Sequence, residues 1–131
     1  MGKIYIGIDN GVTGTMTIID NKNIIHSLMP IKKELSYTKK KQYISRIHYR
    51  NLITVLKENI DFDQAGKQCD VFCLIERPMI NPMRFKASLS AIRALEATLI
   101  ALEQLNISYD TIDSKEWQRY FLPKNIIKLK S

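Results

Sequence analysis

A chain of 131 residues that is 45% apolar and 25% charged has the size and composition of one globular domain, too short for two large lobes closing over a ligand. Its longest strictly apolar run, Val71-Phe72-Cys73-Leu74-Ile75, falls far short of the ~20 residues a bilayer-spanning helix needs; Asp9 arrives before any apolar stretch of signal-peptide length, so neither a membrane nor secretion is expected. The formal charge of +7 is concentrated, because residues 32–57 carry Lys32, Lys33, Lys39, Lys40, Lys41, Arg46, Arg50 and Lys57 against Glu34 alone and so hold all of it.

The first elements are short strands. Residues 3–8 alternate, with Ile4, Ile6 and Ile8 on one face, and predict a strand. Asp9-Asn10-Gly11-Val12-Thr13-Gly14 predicts a tight turn, since Asn and Gly tolerate positive φ. Residues 15–20 and 24–29 follow as two more strands around a turn at Asn21-Lys22-Asn23, giving a meander. Residues 30–42, opened by Pro30, are polar and basic and predict an exposed loop.

Alternation of helix and strand comes next. Ile44, Ile47, Leu52, Val55, Leu56 and Ile60 form an apolar stripe and predict a helix over 43–60. Residues 70–76 are a nearly all-apolar run, the signature of a central strand covered on both faces. Residues 85–105 predict the strongest helix, with Leu89, Ile92, Leu95, Leu99, Leu102 and Leu105 on its core face. A strand is expected over 107–112. Asp113 and Glu116 then fit a capping box opening a short helix through Trp117 and Phe121, which Pro123 ends. The order βββαβαβα implies an α/β fold, a mixed sheet with helices on its faces. We divide it into a domain over 1–123 and a basic tail over 124–131.

Cys69 and Cys73 lie about 13 Å apart if both are on one strand, too far for a disulfide, and no acid or histidine at ligand spacing suggests zinc. His26 and His48 stand alone; His48 is expected to face solvent or phosphate. Tyr37, Tyr43 and Tyr49 interleave with the basic segment, as core or loop packing or as stacking platforms for unpaired bases.

Two acids are placed for chemistry. Asp9 ends the first strand, either as a turn cap or as a functional carboxylate. Glu76 ends the buried fourth strand, where a salt bridge to Arg77 or a lysine is the alternative to a cleft position. If these strands are parallel neighbours, the two carboxylates share one sheet edge about 5 Å apart. Carboxylates that close repel, and a hard cation such as Mg²⁺ or Mn²⁺ relieves the repulsion.

Gly7-Ile8-Asp9-Asn10-Gly11-Val12-Thr13-Gly14-Thr15 with its following strand resembles the opening of RuvC-type Holliday junction resolvases, in their bacteriophage branch. Leu74-Ile75-Glu76-Arg77-Pro78, Asn81-Pro82-Met83-Arg84-Phe85-Lys86-Ala87 and Ile112-Asp113-Ser114-Lys115-Glu116-Trp117-Gln118 extend the resemblance, in order, over nearly the whole chain. It implies a ribonuclease H-like fold and a Mg²⁺-dependent endonuclease that nicks four-way DNA junctions, usually as a homodimer, in the cytoplasm of a host if phage-encoded. It assigns Asp9 and Glu76 as metal ligands. Arg77, Arg84 and Lys86 would border the cleft, and Lys115 would approach phosphate. Lys32, Lys33, Lys39, Lys40, Lys41, Arg46 and Arg50 are read as phosphate contacts.

One departure matters. The family places further acids on a last helix, whereas no carboxylate follows Glu116 here. The expectation is a C-terminally shortened resolvase of reduced or no activity; Asp113 is a candidate substitute ligand. The alternatives are a non-catalytic DNA-binding protein on the same fold and a nucleotide-binding fragment, since Asp9 to Thr15 also looks like the phosphate loop of sugar kinases and actin-like ATPases.

Overall fold

The computed structural model describes residues 3–60, 70–113 and 116. Strands β1 (Ile4–Asp9), β2 (Thr15–Ile19) and β3 (Ile24–Leu28) form the expected meander. A hairpin follows, β4 (Ile31–Leu35) and β5 (Tyr43–Ile47), then helix α1 (Tyr49–Asn59). Strand β6 (Val71–Glu76), a 3₁₀ turn at Pro82–Arg84, helix α2 (Phe85–Gln104) and strand β7 (Ser108–Ile112) complete the described elements. One five-stranded mixed sheet has the order β3-β2-β1-β6-β7; β4 and β5 form a separate two-stranded sheet. The β1–β2 and β2–β3 pairs are antiparallel, and β1–β6 and β6–β7 are parallel.

Period-two alternation gives the sheet two unlike faces. Ile4, Ile6, Ile8, Met16, Ile18, Val71, Cys73 and Ile75 are buried in one core with Leu52, Leu56 and Ile60 of the α1 segment and Ala94, Ala101 and Leu102 of α2. Both described helices therefore share one side of the sheet. On the opposite face Tyr5, Ile19, Ile24 and Phe72 remain exposed. Among the described residues the β6 strand is accordingly covered on one face. Burial pushes the Cys73 thiol up to about 12, which makes it an inert core residue. Cys69 lies outside the described residues.

Three expectations need correction. Residues 31–35 and 43–47 are strands, so the basic loop is only the hairpin tip and α1 starts at Tyr49. Ile44 and Ile47 belong to β5, not to the helical stripe. On the hairpin Glu34 pairs with Lys32 of its own strand and with Arg46 across on β5, and the two cations hold its carboxyl below the usual range, Lys32 most strongly. His48, half-buried, is the N-cap of α1, where its Nδ1 accepts the backbone N–H of Asn51. The third correction concerns α2, whose buried residues are Ser88, Ala94, Thr98, Ala101 and Leu102, while Leu89 and Ile92 are exposed. Small side chains let this helix sit close to the sheet, and the larger leucine and isoleucine stripe turns partly outward.

The helix expected through Trp117 and Phe121, the boundary at 123, the tail and Lys115 lie outside the described residues.

Candidate active site

The C-terminal ends of the parallel strands form the rim where the predicted acids meet. The β1–β6 register pairs Ile6 with Cys73, Gly7 with Leu74 and Ile8 with Ile75. Its next step sets Asp9 beside Glu76, and parity puts both on the face opposite the helices. The β6–β7 register adds Ile112 beside Glu76, and the β1–β2 register sets Thr15 beside Asp9. These four residues, with Gly7, Ile8, Thr17 and Leu74, line an open depression of about 290 Å³. Gly7 leaves its floor without a side chain. Asp9 is exposed and Glu76 half-buried.

The turn after Asp9 fixes the rim. Gly11 has φ of +128°, a conformation that favours glycine. A Cβ on Gly14 would lie 1.9 Å from the carbonyl oxygen of Asp9, so only glycine lets β2 return this closely. Asn10 anchors the same turn to α2, donating its side-chain amide to the carbonyl of Ala91 at 3.2 Å. Gly14→Ala is expected to destabilise the fold by about 1–3 kcal/mol through this backbone clash. Urea unfolding of the variant measures it; an unchanged midpoint would show that the turn relaxes freely.

Asp113 is not brought to the rim pair. It follows Ile112, so alternation turns it to the other face, where Arg77 meets it: Nη1 donates to Oδ1 at 3.1 Å. Arg77 also donates Nε to the Thr111 hydroxyl at 3.0 Å, and its backbone N–H to the Ile112 carbonyl at 2.8 Å. Thus Arg77 is a brace between β6 and β7, with ion pairs to Asp113 and, at 4.0 Å, to Glu116. Asp110 shares the open face with Leu74 but stands two residues back from the rim, its carboxylate accepting the N–H of Thr111 at 2.8 Å. Among the described residues no group of three or more His, Cys, Asp or Glu side chains is placed to hold one metal ion. Asp9 and Glu76 are a two-ligand set of hard oxygen donors.

The predicted phosphate contacts divide. Lys33, Lys39, Lys40, Lys41, Arg50, Arg84 and Lys86 are exposed. Lys32 and Arg46 are only partly exposed and are committed to Glu34. The segment from Asn81 to Lys86 is ordered by Asn81, whose side chain accepts the N–H of Met83 at 3.0 Å, while its backbone N–H and C=O both bond the Ser88 hydroxyl. Sequence reasoning passed over Phe85 and Arg93. Their spacing with Leu89 at i, i+4 and i+8 on α2 was the available signal.

The mixed five-stranded sheet, its strand order and its helices are those of a ribonuclease H-like fold. A solved structure that shares this fold is T. thermophilus RuvC in complex with Holliday junction substrate; the likeness has a TM-score of 0.56 at 10% sequence identity and covers 94% of this chain and 72% of that one. No family model matches the chain, and no curated protein matches it. No helix among the described residues is long and apolar enough to cross a membrane.

Proposed function

We propose that this chain is a divalent-metal-dependent endonuclease acting on four-way DNA junctions. The observation that carries the reading is the register that sets Asp9 and Glu76 side by side on the open face of a ribonuclease H-like sheet. The motif resemblance to bacteriophage RuvC-type resolvases and the fold shared with a junction-bound RuvC support the substrate class. The donor set fits Mg²⁺ or Mn²⁺: two carboxylates, no thiolate and no imidazole in the lining. Asp9 and Glu76 would hold the ion, which supplies charge neutralisation and an activated water for displacement at phosphorus. The exposed cations position the DNA backbone. Paired nicks need two such rims, so the working form is a homodimer on the junction, acting in the cytoplasm.

The test is a labelled four-way junction incubated with the full chain, with and without Mg²⁺. Metal-dependent nicks near the branch point are expected, and a linear duplex of the same sequence should be cut far less. Absence of nicking with both Mg²⁺ and Mn²⁺ would reject the enzyme. The second reading, a DNA-binding protein without catalysis, is favoured by one observation: Arg77 holds Asp113 on the opposite face, leaving two acids at the rim among the described residues. It retains junction binding without nicks.

A further inference from the structure

A second cleft, of about 400 Å³, lies between the β4–β5 hairpin and the first half of α2, and shares no lining residue with the acid rim. That volume falls within the roughly 300–1,000 Å³ of small-ligand sites. Its walls differ in chemistry. Phe85 and Leu89, one turn apart on α2, are 70% and 42% exposed and give an apolar wall. Lys40 from the hairpin tip and Lys86 and Arg93 from α2 supply positive charge, and no carboxylate among the described residues lines the cleft.

The cationic side is built into the fold. Arg93 is half-buried, and its Nε is buried with no hydrogen-bond partner among the described residues. Its guanidinium carbon lies 5.9 Å from the centre of the Tyr37 ring, which Arg46 approaches equally closely. Tyr37 is thereby engaged by two cations, and Phe85 presents a second, largely exposed ring. The hairpin tip is itself ordered: the Ser36 N–H donates to the Gln42 carbonyl at 2.8 Å, and the Thr38 hydroxyl to the Lys40 carbonyl at 3.0 Å. The backbone of Lys40 is therefore held opposite α2.

We propose that this cleft binds one unpaired nucleotide of a nucleic-acid strand, its base against Phe85 and Leu89 and its phosphate among Lys40, Lys86 and Arg93. A free anion would satisfy the cations but leave the aromatic wall bare. A base within duplex DNA has its faces covered by its neighbours and cannot reach Phe85. A nucleotide from a single strand or an opened branch point presents both a flat apolar face and a negative charge. The inference rests on the reading of the chain as a DNA-binding protein, but not on the acid pair or on cleavage.

The experiment uses the full chain and an oligothymidylate about eight nucleotides long carrying one 2-aminopurine, within the usual single-strand site sizes. Binding is expected to quench the 2-aminopurine fluorescence. Phe85→Ala should abolish the quench and weaken single-strand affinity roughly 5- to 100-fold, the range for loss of one base–aromatic stack. Duplex affinity should not change. Arg93→Gln should weaken the single strand without removing the quench. Phe85 is largely exposed, so its truncation spares the core. Equal losses for single strand and duplex would overturn the proposal, as would no loss for either. Competition by a glutamate-rich peptide of equal charge as effective as that of the oligonucleotide would overturn it too, since the cleft would then read charge alone. Failure of the wild type to bind any DNA would refute the DNA reading itself and the cleft with it.

Discussion

Asp9→Asn is expected to slow Mg²⁺-dependent nicking of a four-way junction by about 1,000-fold or more, while junction affinity stays level or rises. The magnitude follows from the several kcal/mol of transition-state charge stabilisation that a bound metal supplies, at about 1.4 kcal/mol per decade of rate. The opposite sign for binding follows from electrostatics. Asp9 and Glu76 face the same depression, and each repels a phosphate entering it; removing one negative charge relieves that repulsion without touching the exposed lysines. Glu76→Gln should act the same way. The double variant should be little slower than either single one, because two ligands of one ion act as a unit. Single-turnover cleavage and fluorescence anisotropy on the same junction separate the two quantities. A parallel loss of binding and cleavage would show that the acids hold the fold or the DNA and not a metal. Unchanged cleavage would place the chemistry elsewhere.

That pair was legible because two independent rules converge on it. Each acid terminates an apolar strand, and a crossover through a helix makes the two strands parallel, so their ends lie at the same edge. The meander was legible for a similar reason: Ile4, Ile6 and Ile8 are all buried, and no other register satisfies them. The β4–β5 hairpin carries no such signal. Lys32, Lys33 and Glu34 put charge on both faces of one strand, so period-two alternation of hydrophobicity is absent, and the Glu34–Arg46 pair across the two strands exists only in the three-dimensional register. The helix α2 misled in another way. It is apolar on more than one side, so periodicity alone could not tell that Ala94, Thr98 and Ala101 face the sheet while Leu89 and Ile92 do not. The orientation of Asp113 was equally hidden, since it depends on the exact end of β7 and on Arg77 reaching across from β6.

Junction binding should weaken about 1,000-fold between 50 and 200 mM salt if six of seven exposed predicted contacts, Lys33, Lys39, Lys40, Lys41, Arg50, Arg84 and Lys86, each neutralise one phosphate. Each such contact contributes about −0.9 to the slope of log affinity against log salt, so the expected slope is about −5. The structure predicts how variants move that slope. Replacing Lys39, Lys40 and Lys41 together by Gln should make it shallower by about 3. Lys32 and Arg46 are held by Glu34 and release few counterions as they stand. Glu34→Gln frees both cations and should steepen the slope by up to about 2 while raising affinity at low salt. An argument from net charge alone would expect only a slight gain from that one neutralisation, with no added contacts. Titrations at four or five salt concentrations decide between them. A slope that stays near −5 in both variants would mean that the hairpin does not touch DNA and that the assignment of these phosphate contacts is wrong.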